Sequence, residues 1–187
     1  MRFVIYGVGA VGGVIAAALS QAGNEVVGIA RGAQLDAIRE TGLLLRAPTG
    51  DVTARFDCVA HPSEISFRPD DKILLCMKTQ NTMDALLALR AAGVAEQPIF
   101  CCQNGVSNED LALRFFTNVH GVTVMMPCTY LEAGKVVTWV EPNYGLFDMG
   151  RFPKGHDADD VAVAEAMTAA GLAAFVQDDV MQQKYSK

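Results

Sequence analysis

Residues Gly7-Val8-Gly9-Ala10-Val11-Gly12 constrain this chain more than any other segment. They stand between an apolar run, Arg2-Phe3-Val4-Ile5-Tyr6, and a stretch of small residues from Ala10 to Gln21 that Gly23 stops. The spacing is G-x-G-x-x-G, between a strand and a helix. The first glycine permits a tight turn, the second lets backbone approach a pyrophosphate, and the third lets the helix pack close to the strand. The helix N-terminus then offers free N–H groups and the positive end of its dipole to phosphates. Without a ligand, the same pattern would describe a Gly/Ala-rich helix packed tightly on its strand.

The context favours the dinucleotide reading. Glu25 to Ala30 reads as a second strand, and Gln34 to Glu40 as a helix with Leu35 and Ile38 on one face and Gly42 at its end. Strand, helix, strand, helix in succession is the start of a parallel sheet. The opening residues also imitate a secretory leader, but Gly7, Gly9, Gly12 and Gly13 weaken a helical leader, and the turn accounts for them. Leu43–Leu45 and Val52–Cys58 read as a strand pair around Pro48-Thr49-Gly50. Lys72–Met77 and Pro98–Cys102 are continuous apolar runs, the mark of strands covered on both faces. Thr82–Ala92 and Asn108–Phe116 read as helices. After them the texture changes: Val119–Tyr130, Lys135–Glu141 and Tyr144–Met149 are strand-like, separated by turn signals, and read as an antiparallel extension. Asp157–Ala170 is a helix with acidic residues in its first turn. Ala173–Gln177 is a last short strand, and Asp178-Asp179 opens a final helix. The expected fold is therefore α/β, a Rossmann-type doubly wound, mostly parallel sheet with an antiparallel hairpin extension. Its dinucleotide-binding domain spans 1–177, followed by the start of a further helix over 178–187.

Composition bounds the partners. The 187 residues are 51% hydrophobic and 19% charged, which excludes global disorder, and the net charge is −6, which argues against a general nucleic-acid or membrane-surface binder. No run is long and apolar enough to span a bilayer. The five cysteines (Cys58, Cys76, Cys101, Cys102 and Cys128) form no CxxC pair and read as reduced thiols of a cytoplasmic protein. His61, His120 and His156 lack metal-ligand spacing, so no metal is expected.

Three positions refine the chemistry. Where NAD binders usually place a carboxylate at the end of the second strand, this chain has Ile29-Ala30-Arg31-Gly32. An arginine there can pair with a 2′-phosphate, which points to NADP(H). Its bland alternative is a solvated surface charge. Lys78 follows one buried strand and Gln103-Asn104-Gly105 the next, at the carboxyl ends where open α/β sheets form their ligand crevice. Lys78 could be an ordinary loop lysine and Asn104-Gly105 a plain turn, but their coincidence at successive strand ends strengthens both.

With these residues in hand, the sequence resembles the ketopantoate reductase (2-dehydropantoate 2-reductase) family. The matching pieces are Gly7–Gly12, Arg31 with the QLDAIRETGL segment behind it, Met77-Lys78-Thr79-Gln80, Gln103-Asn104-Gly105 with Glu109, and the segment Asp178–Lys187. The resemblance implies a cytoplasmic, NADPH-dependent reductase of a small branched 2-oxo acid in pantothenate biosynthesis, for which a homodimer is allowed. It implies that Gly7, Val8, Gly9, Ala10, Val11 and Gly12 hold the cofactor, that Arg31 meets the 2′-phosphate, and that Lys78 lies beside the cofactor. It places Asn104 near nicotinamide and substrate. It makes Lys187, which follows Tyr185-Ser186, the proton donor. It also implies that Asp178–Lys187 leads into an all-helical second domain that this sequence does not include. Two rivals share the fold: a non-catalytic dinucleotide-binding or sensing module, and a dehydrogenase of the same two-domain plan acting on another hydroxy acid or an opine.

Overall fold

A computed structural model describes residues 1–187. The chain opens with β1 (Arg2–Tyr6), α1 (Ala10–Gln21), β2 (Glu25–Ile29) and α2 (Gly32–Thr41). Then come β3 (Leu43–Arg46), β4 (Val52–Ala54), β5 (Asp57–Val59), β6 (Asp71–Leu75), α3 (Thr82–Ala91), β7 (Ile99–Cys101) and α4 (Asn108–Leu113). The last part is β8 (Val119–Met125), β9 (Cys128–Glu132), β10 (Lys135–Thr138), β11 (Gly145–Arg151), α5 (Ala158–Ala169), β12 (Leu172–Val176) and α6 (Val180–Ser186).

The main sheet has eight strands in the order β12-β11-β8-β7-β6-β1-β2-β5. From β5 to β8 every neighbouring pair is parallel. β11 then runs antiparallel to β8, and β12 parallel to β11. This is the expected doubly wound plan with an antiparallel extension. β1 is buried at all five positions. Even Arg2 is enclosed, its guanidinium forking onto both Asp71 oxygens at 2.7 Å, so the charge that starts β1 is neutralised by the charge that starts β6.

Two sequence expectations need correction. Val52–Cys58 is two strands, because the chain changes sheets at Arg55-Phe56: β4 pairs with β3, whereas β5 pairs with β2 on the main sheet. Val119–Tyr130 is likewise split at Met126-Pro127, where proline supplies no N–H to a ladder. β8 stays in the main sheet, and β9 joins a separate four-stranded sheet ordered β4-β3-β10-β9. The hairpin of β9 and β10 therefore docks on β3 and leaves the antiparallel extension to β11.

That second sheet explains the small residues of α1. The helix is buried from Gly12 to Leu19. One side lies on the main sheet and the other faces the second sheet. A Cβ at Gly13 would come within 2.7 Å of Val136 in β10. A helix enclosed on two sides is apolar all round, and glycine and alanine let both sheets approach it.

Candidate functional site

The glycine turn leaves β1 at Gly7, whose φ of +100° lies in the region only glycine occupies freely. A Cβ there would meet the Met77 backbone nitrogen at 2.8 Å. At Gly12 a Cβ would meet the Gly7 carbonyl oxygen at 2.2 Å, so the third glycine is what lets α1 seat on the turn. Gly9 is different: nothing lies within 4 Å of where its Cβ would be. The cradle is thus tight behind Gly7 and Gly12 and open in front of Gly9, as backbone meant to meet a phosphate must be. Gln34 fixes the turn from outside. Its Nε2 donates to the Val8 carbonyl and its Oε1 accepts from Gly134 N, joining the turn to the β9–β10 hairpin.

In front of this turn lies a cleft of about 960 Å³. Its wall includes every residue from Gly7 to Val11, together with Arg31, Lys78 and Asn104. Gly12 lies behind the wall. The four segments that the sequence singled out therefore converge on one crevice at the carboxyl ends of β1, β2, β6 and β7. The volume is at the upper end of what small-molecule and cofactor sites occupy, and the cradle fits a dinucleotide pyrophosphate.

Arg31 stands at the N-cap of α2 and is exposed. It lies close enough to Tyr6 to offset part of the upward push that burial gives the phenol. None of the chain's ion pairs uses Arg31 or Lys78, so both cations face the cleft without a carboxylate.

A buried network holds the ends of β6 and β7 together. Gln103 Nε2 donates to Thr82 Oγ1, and Thr82 Oγ1 donates to Asn108 Oδ1. Asn108 Nδ2 in turn donates to the Gly105 carbonyl and to Thr79 Oγ1. These bonds fix the turns that carry Lys78 and Asn104. Asn104 Oδ1 accepts from Lys187 Nζ at 2.6 Å, and the same ammonium donates to the Val124 carbonyl. Partial burial of the ammonium, helped by the nearby charge of Lys184, lowers the Lys187 pKa, although the residue as a whole stays exposed. The structure thus brings Lys187 to Asn104, although Lys187 itself lies outside the cleft wall.

The sequence reading did not single out the stretch Cys128-Thr129-Tyr130-Leu131 of β9, which also lines the cleft. It also passed over Lys184 as a partner for Glu109. The signal available for Lys184 was its spacing, three residues before Lys187 on one helix. Nothing local could place β9, because its neighbour β10 pairs with β3 from the far end of the sequence.

All five cysteines are free. Burial pushes the Cys58 thiol up to about 11, and a hydrogen bond from the Cys102 thiol to Cys76, together with burial, pushes Cys102 well up. His120, Asp157 and Asp159, which the sequence leaves apart, bring ligating atoms within 4.8 Å of one another. They already have partners: Asp160 and Asn118 for His120, Arg151 for Asp157, and Lys72 for Asp159. No helix is long and apolar enough to cross a membrane.

The chain can now be set beside known proteins. It is 28% identical over 187 residues to 2-dehydropantoate 2-reductase of Pyrococcus horikoshii, a match covering all of this chain and 60% of that protein. The chain thus spans about 60% of the length of the curated relatives it matches. A PanE/ApbA family ketopantoate reductase from Ralstonia eutropha superposes with a TM-score of 0.86 at 27% identity, over all of this chain and 59% of that one. D-mandelate dehydrogenase, solved with NADH and anilino(oxo)acetate, shares the fold at a TM-score of 0.86 and 24% identity, over 99% of this chain and 59% of that one. The sequence model described as ketopantoate reductase PanE/ApbA matches residues 3–153. That match takes in the glycine turn, Arg31, Lys78 and Asn104 in order along one sheet edge, and on it the chain belongs to the ketopantoate reductase PanE/ApbA family.

Proposed function

We propose that this chain is the cofactor-binding part of an NADPH-dependent reductase that converts 2-dehydropantoate to pantoate. The observation that carries the reading is the contact between Lys187 and Asn104 at the edge of the cleft that the glycine turn and Arg31 also line. A sensor needs a dinucleotide cradle but no ammonium held beside an amide at its edge.

The chemistry that bound NADPH supplies is hydride donation to the keto carbon. The chain's own residues do the rest. Gly7–Val11 and the start of α1 receive the pyrophosphate, and Arg31 pairs with the 2′-phosphate. Asn104 orients the reacting groups. As the carbonyl oxygen becomes negative, the Lys187 ammonium stabilises it and gives up a proton to form the hydroxyl. Lys187 is left as a neutral amine and recovers its proton from water. A lowered pKa suits this role, because a readier acid transfers its proton more completely in the transition state.

The NADH-bound D-mandelate dehydrogenase of the same fold keeps an NADH-using 2-hydroxy-acid dehydrogenase as the second reading. It contrasts with Arg31 and Ala30 at the end of β2, where no carboxylate is available for a free ribose hydroxyl. The test is turnover of 2-dehydropantoate with NADPH and NADH in a protein of the relatives' full length. Lys187→Ala is expected to lower kcat by about 10²–10⁴-fold, the usual contribution of a positioned proton donor. A Lys187→Ala protein that turns over normally would overturn the assignment.

A further inference from the structure

Behind Asn104 and Lys187 a second lysine is enclosed. Lys184 lies one turn earlier on α6, and its side chain is only 1% exposed. It donates to Glu109 Oε1 at 2.5 Å and to the Cys101 carbonyl at 3.0 Å. Glu109 is fully buried in the first turn of α4, and its Oε2 has no partner. Taking two charges out of water costs more than their attraction reliably returns, so such a pair is weak evidence of stabilisation. Its placement is more informative. Cys101 ends β7, Glu109 opens α4, and Asn104 lies on the turn between them. Lys184 therefore ties the last turn of α6 to both elements that carry Asn104. It also sets a second ammonium three residues before Lys187, the residue that caps the same helix.

We propose that Lys184 is a positioning residue for Lys187: anchored by Glu109, it fixes the last turn of α6 and makes the neighbouring ammonium a readier proton donor. The proposal rests on the reading of Lys187 as that donor. The charged surroundings are few. α6 packs on β8 and β11. β8 turns Gly121 toward it, and by alternation Thr123 and Met125, none of which titrates. β11 contributes Asp148, which is held by Gln177. α4 contributes Glu109 and its neighbour Asp110. The Cys101 thiol beside the pair is kept neutral by burial. Lys184 is thus the cation nearest to Lys187 on these elements.

Removing the Lys184 charge leaves the Lys187 proton held more firmly. Lys184 acts on the Lys187 proton and Glu109 is not among the groups that shift it. Whether Glu109 then stays ionised or takes a proton, the loss of the Lys184 charge sets the direction. The experiment is a pH titration of the lysine ε-carbon resonances in 13C-lysine protein, with Lys187 assigned by its loss in Lys187→Arg. In Lys184→Met the Lys187 midpoint is expected at higher pH, and Lys184→Arg returns it. The double variant Lys184→Met/Glu109→Gln has no unpaired buried charge, so it decides the matter where the single variant does not fold, and the same upward move is expected. An unmoved or lowered midpoint overturns the proposal. Turnover of Lys187→Ala separates the two readings. Normal turnover with a raised midpoint refutes Lys187 as donor and leaves the coupling standing, while lost turnover with an unmoved midpoint refutes the coupling alone.

Discussion

In the NADPH-dependent reading proposed above, Arg31 carries the cofactor preference almost alone. It follows Ala30 where a carboxylate would otherwise receive a ribose hydroxyl, and it has no ion-pair partner to leave when a phosphate arrives. A charge-assisted bond of this kind contributes about 1.5–3 kcal/mol, so Arg31→Ala is expected to weaken NADPH by roughly 10- to 150-fold and leave NADH nearly unchanged. Equal affinities for the two nucleotides in the unaltered protein, measured by calorimetry, would contradict this. The glycines make a second, sharper contrast. Gly9 has open space in front of it, so Gly9→Ala is expected to fold normally while losing dinucleotide affinity. At Gly12 the added methyl would run into backbone, and Gly12→Ala is expected to cost at least the ~1–3 kcal/mol of an overpacked core as well as affinity. Thermal melts read one effect and cofactor titration the other.

At the scale of elements, α5 depends on the residue that caps it, Asp157. Asp157 accepts from the Asp159 and Asp160 N–H groups, and Asp160 returns a bond to Asp157 N. Asp157→Ala is expected to destabilise the fold by about 0.5–2 kcal/mol, the range for a lost cap. Burial raises the Asp157 pKa, but the bond from Arg151 and the cap N–H groups outweigh it, and the net shift is down. A lowered carboxylate pKa adds stability above its unfolded value near 3.9, and that stability is lost as pH falls below it. The difference in melting temperature between Asp157→Ala and the unaltered protein is therefore expected to shrink in acid. This helix was legible because cap, acidic first turn and apolar spacing are all local. β1, α1 and β2 were legible for the same reason, and so were the residues at their carboxyl ends, since a parallel sheet puts those ends on one edge. The second sheet was not. β3 and β10 are short and far apart in sequence, and only the enclosure of α1 between two sheets makes sense of their pairing. The same distance hid β9 as a wall of the cleft.

At the scale of the whole molecule, cofactor binding and turnover are expected to separate. The glycine cradle and the turns that carry Lys78 and Asn104 are held by bonds internal to these 187 residues, and Arg31 stands at the N-cap of α2. Binding should therefore stabilise the fold by mass action, by about 2.7 kcal/mol at a hundredfold excess over Kd, and the melting temperature should climb with NADPH concentration. Turnover asks for more. Asn104 and Lys187 are both exposed to solvent. A 2-oxo acid reacting there would compete with water, and its developing alkoxide would be stabilised in a medium where charge interactions are weak. The relatives extend well beyond the matched region, which covers 60% of the Pyrococcus horikoshii protein. We expect that additional length to cover Asn104 and Lys187 and to complete the substrate site. The comparison is between this chain and one of the relatives' full length, at saturating NADPH and 2-dehydropantoate. A clear thermal shift with slow turnover in the shorter chain is the expected result. Equal turnover would mean that these residues already exclude enough water, and that the substrate site lies wholly within the cleft bounded by β9 and the glycine turn.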